Sequence, residues 1–112
     1  MIIRNCDVQR VVIGIPKSHK HLRIAIFLNN DMVLVFHEAT MANIMRAFIT
    51  VKTHPLVEAV ELQSVKLEQR KKGFAEYQLL EVKRSAKDIS EELLNIITRN
   101  TYDSGNRWYT FS

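Results

Sequence analysis

His37 and Glu38 are the one adjacent pair in this chain that has residue types suited to acid–base catalysis and lies at a structural junction. A predicted strand ends at His37 and a predicted helix follows, and such junctions position catalytic groups and anion sites well. His37 would act as a general base, with Glu38 orienting it or acting as an acid. The structural alternative is that Glu38 stabilises the helix dipole while His37 points to the opposite face of the strand. We favour the structural alternative and expect a protein without catalytic machinery.

Other chemistry-bearing residues do not form a recognisable set. His19 and His21 flank Lys20, and a zinc site would require further histidine, cysteine or carboxylate ligands close by. The single cysteine, Cys6, has no adjacent base or cation that would lower its pKa. The glycines are isolated, so there is no phosphate-binding loop. We therefore expect no metal and no cofactor.

Basic residues form two clusters beside predicted loops. If the two loops share one end of the sheet, the clusters make a single basic rim that contacts nucleic-acid phosphates. The alternative is that lysine-rich hairpin ends keep exposed strand edges soluble. The residues predicted to bind nucleic acid are Lys17, Lys20, Arg23, Arg70, Lys71 and Lys72.

Length and composition indicate one domain that spans residues 1–112. The formal charge is +4, and all of this excess lies in residues 1–56. A modest positive charge favours contact with polyanions without establishing it. One cysteine excludes an internal disulfide, no apolar run approaches the ~18 residues of a membrane span, and the N-terminus lacks a signal-peptide pattern. We expect a cytoplasmic protein that has no membrane partner.

The first half of the chain predicts a strand, a hairpin and a helix. The segment from Val8 to Ile15 is apolar on both faces, which predicts an interior strand. The segments from Leu22 to Leu28 and from Met32 to His37 predict a hairpin across an Asn-Asn-Asp turn. Thr40 is the expected N-cap of a helix that ends before Pro55. The apolar stripe expected to pack this helix is Met41, Ile44, Met45, Phe48 and Val51.

The second half repeats the order hairpin then helix. The runs 57–68 and 74–83 predict the hairpin, and if Leu67 faces Ala75, the register places Val65 opposite Tyr77. Ser85 and Asp88 resemble a capping box at the start of the second helix. The aromatic tail, residues 101–112, is expected to form an edge strand or an interface segment.

These elements predict an α+β fold in the order β-ββ-α-ββ-α, with a mostly antiparallel sheet of about five strands and both helices on one face. The leading functional hypothesis is a non-catalytic basic module that contacts nucleic acid. The second is a homo-oligomeric interaction domain, with a dimer as the commonest state for small proteins. The third is a small-molecule enzyme that uses His37 and Glu38.

Overall fold

The computed structural model describes residues 1–68 and 76–103. A short 3-10 helix at Asn5–Asp7 precedes the regular elements, whose bounds are β1 (Val8–Gly14), β2 (Arg23–Leu28), β3 (Val33–His37), α1 (Glu38–Thr53), β4 (Leu62–Lys66), β5 (Tyr77–Glu81) and α2 (Ala86–Asp103). All the strand pairs are antiparallel. The predicted α+β class, the number of strands and their order are confirmed.

The five strands form two sheets, whereas a single sheet was expected. β1, β2 and β3 form the first sheet in that order, and β4 pairs with β5 in the second. Helix α1 separates the two sheets, because it contacts β2 and β3 of the first and β5 of the second. The two hairpins therefore contact a shared helix, and within residues 1–68 and 76–103 their strands do not pair with each other.

The first sheet has two unlike faces. Residues directly opposite each other in a ladder point to the same face. The covered face contains Ile24, Ile26 and Leu28 of the central strand together with Val11, Ile13, Leu34 and Phe36. The open face contains Ala25 and Phe27 of the central strand together with Arg10, Val12, Arg23, Val33, Val35 and His37. The burial pattern of β3, half-buried at Leu34 and Phe36 and exposed between them, places α1 over the covered face.

The buried core of the described residues is small. Ile24 and Leu28 are the apolar residues buried there, at 8% and 3% exposure. The predicted stripe on α1 is only partly covered, since Ile44, Met45 and Phe48 remain exposed. The less exposed side of this helix includes Asn43, Ala47 and Thr50, which line a cavity against β5.

The predicted register of the second hairpin is wrong by one residue. Val65 lies opposite Gln78, and Lys66 lies opposite Tyr77. Backbone hydrogen bonds from Leu67 N–H to the Glu76 carbonyl and from Val82 N–H to the Glu61 carbonyl extend the same ladder. Both strands carry apolar residues in both phases, so the hydrophobic pattern specifies their register weakly.

The helix boundaries differ from the prediction at two places. Helix α1 begins at Glu38 with His37 in the N-cap position, so Thr40 lies in its first turn and is not the cap. At the start of α2 the cap is as expected, because the Ser85 hydroxyl accepts a hydrogen bond from the Asp88 N–H at 3.1 Å. Helix α2 continues to Asp103, so the first residues of the predicted tail are helical. The remainder of that tail, 104–112, lies outside the described residues.

Candidate functional site

The β1–β2 loop, residues 15–22, presents the first basic cluster to solvent. Lys17 and Lys20 are exposed there. The loop contains a turn in which the Pro16 carbonyl accepts a hydrogen bond from the His19 N–H at 2.9 Å, with Ser18 in the left-handed region at φ 69°. This local turn holds the two lysines on the outside of the loop end, where they are accessible to an anionic partner.

Glu38, the first residue of α1, contacts the last two residues of this loop, His21 and Leu22. One carboxylate oxygen, Oε1, accepts a hydrogen bond from the Leu22 N–H at 3.2 Å, and Oε2 lies 3.5 Å from His21 Nδ1. The carboxylate also lies in the first turn of α1, where a negative charge stabilises the helix dipole. Glu38 therefore has the structural role that its position at the helix start indicates.

His37 faces a different part of the molecule from Glu38. It is exposed and lies opposite Arg23 in the ladder between β2 and β3. It also lines a cleft of about 350 Å³ between the start of α1 and the second hairpin, which contains Thr40, Ser64 and Tyr77 but not Glu38. The cleft that His37 lines does not contain Glu38, which bonds to the β1–β2 loop, and the acid–base pair stays a prediction.

The same cleft shows how the two hairpins are oriented. It joins Ala39 and Thr40 of α1 to Glu76 and Tyr77, which lie where β5 leaves the β4–β5 connection. The described end of the second hairpin and the β1–β2 loop are therefore both found at the N-terminal end of α1. The second basic cluster of the sequence is Lys66, Arg70, Lys71 and Lys72. Lys66 forms an ion pair with Glu76 at 3.2 Å. The other members, Arg70, Lys71 and Lys72, lie outside the described residues.

Arg10 and Phe27 form a contact that the sequence did not predict. The Arg10 guanidinium carbon lies 3.9 Å from the centroid of the Phe27 ring on the open face. A bulge between Val8 and Arg10 sets the phase of β1 so that Arg10 lies opposite Phe27. Strict alternation along the strand does not reveal this pair, because a bulge inserts one extra residue.

A charged network at the second hairpin was also missed. One guanidinium nitrogen of Arg84 lies 2.7 Å from Glu61 Oε1 and 2.8 Å from Glu92 Oε1, so it connects the start of β4 to α2. Hydrogen bonds from Gln63 and then from Arg84 lower the pKa of Glu61, and the two glutamates raise the pKa of Arg84. Hydrogen bonds from Arg4, chiefly from its side chain, similarly lower the pKa of Asp7. Arg84 and Glu61 lie 23 positions apart in the chain, which explains why spacing did not reveal the contact between them.

Neither a metal site nor a membrane-spanning helix is found in the described part of the chain. No three histidine, cysteine, aspartate or glutamate side chains within residues 1–68 and 76–103 are arranged to hold a metal ion. None of the helices described in those ranges has the length and apolar character needed to cross a membrane. Cys6 is a free, exposed thiol.

Large apolar side chains are exposed on three elements. On β1 they include Val11, Val12 and Ile13, and on α1 they include Met45 and Phe48. On α2, Ile89 is half-buried, and every side chain from 90 to 99 is exposed, among them Leu93 and Leu94. Exposed apolar side chains are ordinary when scattered singly, but contiguous sets on regular elements mark interaction surfaces.

Comparison of this chain with protein-family models, with curated proteins and with solved structures finds no match.

Proposed function

We propose that this protein is a non-catalytic assembly module that acts as a homo-oligomer. The single observation that carries the proposal is the exposure of apolar side chains on β1, α1 and α2, beside a core in which Ile24 and Leu28 are the buried apolar residues among those described. Leaving such surface in water forgoes about 25 cal/mol for each Å² that burial would remove. Association supplies the burial that one copy of the chain lacks.

Helix α2 supports this proposal through its pattern. Ala86, Ile89 and Leu93 lie at spacings of three and four residues and form one apolar side, while Asp88, Glu91 and Glu92 lie on another. The second turn is attached to the preceding segment of the chain through the ion pair between Glu92 and Arg84. The later turns leave Leu93 and Leu94 exposed, as expected for a helix that packs against a partner.

A second copy of this chain is the partner we propose. A two-fold interface brings the same patch of two molecules together, so the patch must be complementary to itself. Apolar surfaces meet this requirement readily, whereas a surface of one charge repels its copy. The excess positive charge lies in residues 1–56. The same part of the chain also contains the exposed apolar residues of β1 and α1, so its surface is not of one charge throughout.

The test is the mass of the purified protein in solution by sedimentation equilibrium, from about 1 µM to about 500 µM, with the unfolding midpoint measured at both limits. We expect a dimer or higher oligomer whose midpoint rises with concentration. A strictly monomeric mass at the highest concentration would overturn the proposal.

We propose a second function, contact with nucleic-acid phosphates, because the β1–β2 loop and the described end of the second hairpin adjoin the same end of α1. Lys17 and Lys20 are exposed at this end, and Arg23 begins the adjacent strand. Arg70, Lys71 and Lys72 connect, in sequence, the two strands of that hairpin. This arrangement supports a single basic surface without base-specific readout.

The second function is tested by anisotropy with labelled single-stranded and duplex oligonucleotides at about 50 and about 200 mM salt. The variant carries Lys17→Glu and Lys20→Glu. The control carries Lys52→Glu and Lys87→Glu, which change the net charge equally at exposed positions on α1 and α2. We expect about tenfold weaker binding for the loop variant than for the control. Absence of binding by the wild-type protein at the lower salt concentration would exclude this function.

A further inference from the structure

We propose that two copies of this chain pair through the free edge of β1, antiparallel and about a two-fold axis at Val12. The pairing joins two three-stranded sheets into one sheet of six strands. This inference rests on the proposed homo-oligomer and names its interface. β1 lies at the edge of its sheet, and no element in the described ranges pairs with its other side.

The first argument is a conflict between the sequence of β1 and its position. Val11 and Ile13 lie on the covered face and Val12 on the open face, so the strand is apolar on both faces like an interior strand. In one copy of the chain, however, these residues are exposed, Ile13 at 64% and Val12 at 48%. A second strand at this edge places a side-chain neighbour beside Val11, Val12 and Ile13 and pairs the outward N–H and C=O groups of β1.

The second argument is that the regular part of β1 lacks the usual protection of an edge strand. Natural edges carry charged side chains, prolines or bulges that prevent pairing with another chain. In β1 the one charged residue of the regular part, Arg10, lies at its end. The only irregularity in this ladder lies between Val8 and Arg10, and Pro16 comes after the strand has ended. From Arg10 to Gly14 the register is continuous. The open edge is therefore a regular segment of five residues.

The third argument fixes the register. Val12 is the midpoint of this regular segment, so an axis at Val12 pairs all five of its residues. Val11 then lies opposite the partner's Ile13, and Arg10 lies opposite the partner's Gly14. An axis at Arg10 would instead place two guanidinium groups opposite each other, and like charges in that position are destabilising. Gly14 suits a bulky neighbour, because a Cβ placed on it would meet no atom within 4 Å.

The first experiment compares the dimer dissociation constants of three proteins by sedimentation. Val12→Lys places two lysines opposite each other on the axis, whereas Val35→Lys makes the same change on the same open face of β3, where the valine is 60% exposed. We expect the Val12 variant to dissociate at least about tenfold more readily and the Val35 variant to resemble the wild type. An equal mixture of Val12→Lys and Val12→Glu proteins should recover the dimer.

The second experiment tests the register by disulfide formation in a Cys6→Ser background, which removes the single native cysteine. Directly opposed residues on antiparallel strands have Cα atoms about 4.5–5.5 Å apart, within the range that a disulfide spans. Only a residue on the axis lies opposite itself, so Val12→Cys should crosslink alone on mild oxidation. Val11→Cys and Ile13→Cys should crosslink when mixed and poorly when separate, and Val35→Cys is the control.

The outcomes separate this inference from the proposed homo-oligomer. An oligomeric wild type that resists Val12→Lys, and whose Val12→Cys variant does not crosslink, overturns the β1 interface and leaves the homo-oligomer standing. A monomeric wild type overturns both. In that monomer, slow exchange of the amides between Arg10 and Gly14 that do not bond to β2 would indicate that another segment of the same chain covers the edge.

Discussion

Glu38 joins the start of α1 to the start of β2, because its carboxylate accepts a hydrogen bond from the Leu22 N–H at 3.2 Å. The two residues lie sixteen positions apart in the chain. The contact fixes where the β1–β2 loop meets the helix, and it therefore positions Lys17 and Lys20 relative to the second hairpin. Glu38, which the sequence offers as a catalytic acid, therefore has a structural role: it positions the loop that carries Lys17 and Lys20.

Removing this contact should cost a measurable part of the stability. We expect Glu38→Ala to lower the free energy of unfolding by about 1 kcal/mol, because the Leu22 N–H loses its acceptor at a half-buried site. Glu38→Gln keeps an oxygen acceptor and should cost less. Urea denaturation at neutral pH measures both, with Glu58→Ala as the control at an exposed glutamate. Equal values for the Ala and Gln variants would show that the hydrogen bond to Leu22 is not what stabilises the junction.

The small core predicts a large difference between two leucine truncations. Leu28 is 3% exposed, whereas Leu56 is 95% exposed. We expect Leu28→Ala to cost about 2–4 kcal/mol, since it removes buried methyl groups and leaves a cavity. Leu56→Ala should change the free energy of unfolding by less than about 0.5 kcal/mol. Urea denaturation distinguishes the two, and similar costs at both sites would contradict the packing of β2 described above.

The contact between Arg10 and Phe27 predicts a coupling between them. At 3.9 Å from the ring centroid the guanidinium is within range for a cation–π interaction, which contributes about 0.5–1 kcal/mol at an exposed site. A double-mutant cycle with Arg10→Ala and Phe27→Leu isolates that part from the loss of packing. We expect Arg10→Ala to cost less in the Phe27→Leu background than in the wild type. Additive costs would mean that the two side chains do not interact energetically.

Local patterns predicted most of the fold. Alternation along β2, the Asn-rich turn before β3 and the Ser85 cap of α2 depend on neighbouring residues, so the sequence contains the information needed to predict them. The division into two sheets does not depend on neighbouring residues. It depends on α1 packing against both β3 and β5, which are distant in the sequence. The register of the second hairpin also failed, since apolar residues in both phases permit more than one pairing.

The candidate sites depend on contacts between distant residues, and for that reason the sequence predicted them less well. Proximity in sequence linked His37 to Glu38, but the strand and the helix direct the two side chains to different neighbours. The apolar character of β1 on both faces was recognised, whereas its position at the edge required the topology. The proposed β1 interface rests on that combination of pattern and position.

Acid should weaken the fold through Glu61 and Asp7, whose pKa values are lowered in the folded protein. Gln63 and Arg84 donate hydrogen bonds to the Glu61 carboxylate, and Arg4 donates to that of Asp7. The unfolded chain has ordinary pKa values, 4.5 for glutamate and 3.8 for aspartate, so it binds protons first as the pH falls. The stabilisation is therefore complete above these values and is lost as the pH falls through the lower folded-state pKa values.

The Glu61→Gln variant isolates one of these contributions. The free energy of unfolding of the wild type should exceed that of the variant most at neutral pH, and the difference should shrink as the pH falls below 4.5, where the unfolded glutamate becomes protonated. Urea denaturation at a series of pH values from neutral to about 3 measures this difference. At the lowest of these values, Glu61 of the unfolded chain is almost fully protonated. Glu58→Gln, at an exposed glutamate in the same segment, controls for the loss of one carboxylate. A difference that stays constant down to the lowest pH would mean that Gln63 and Arg84 do not favour the charged form of Glu61.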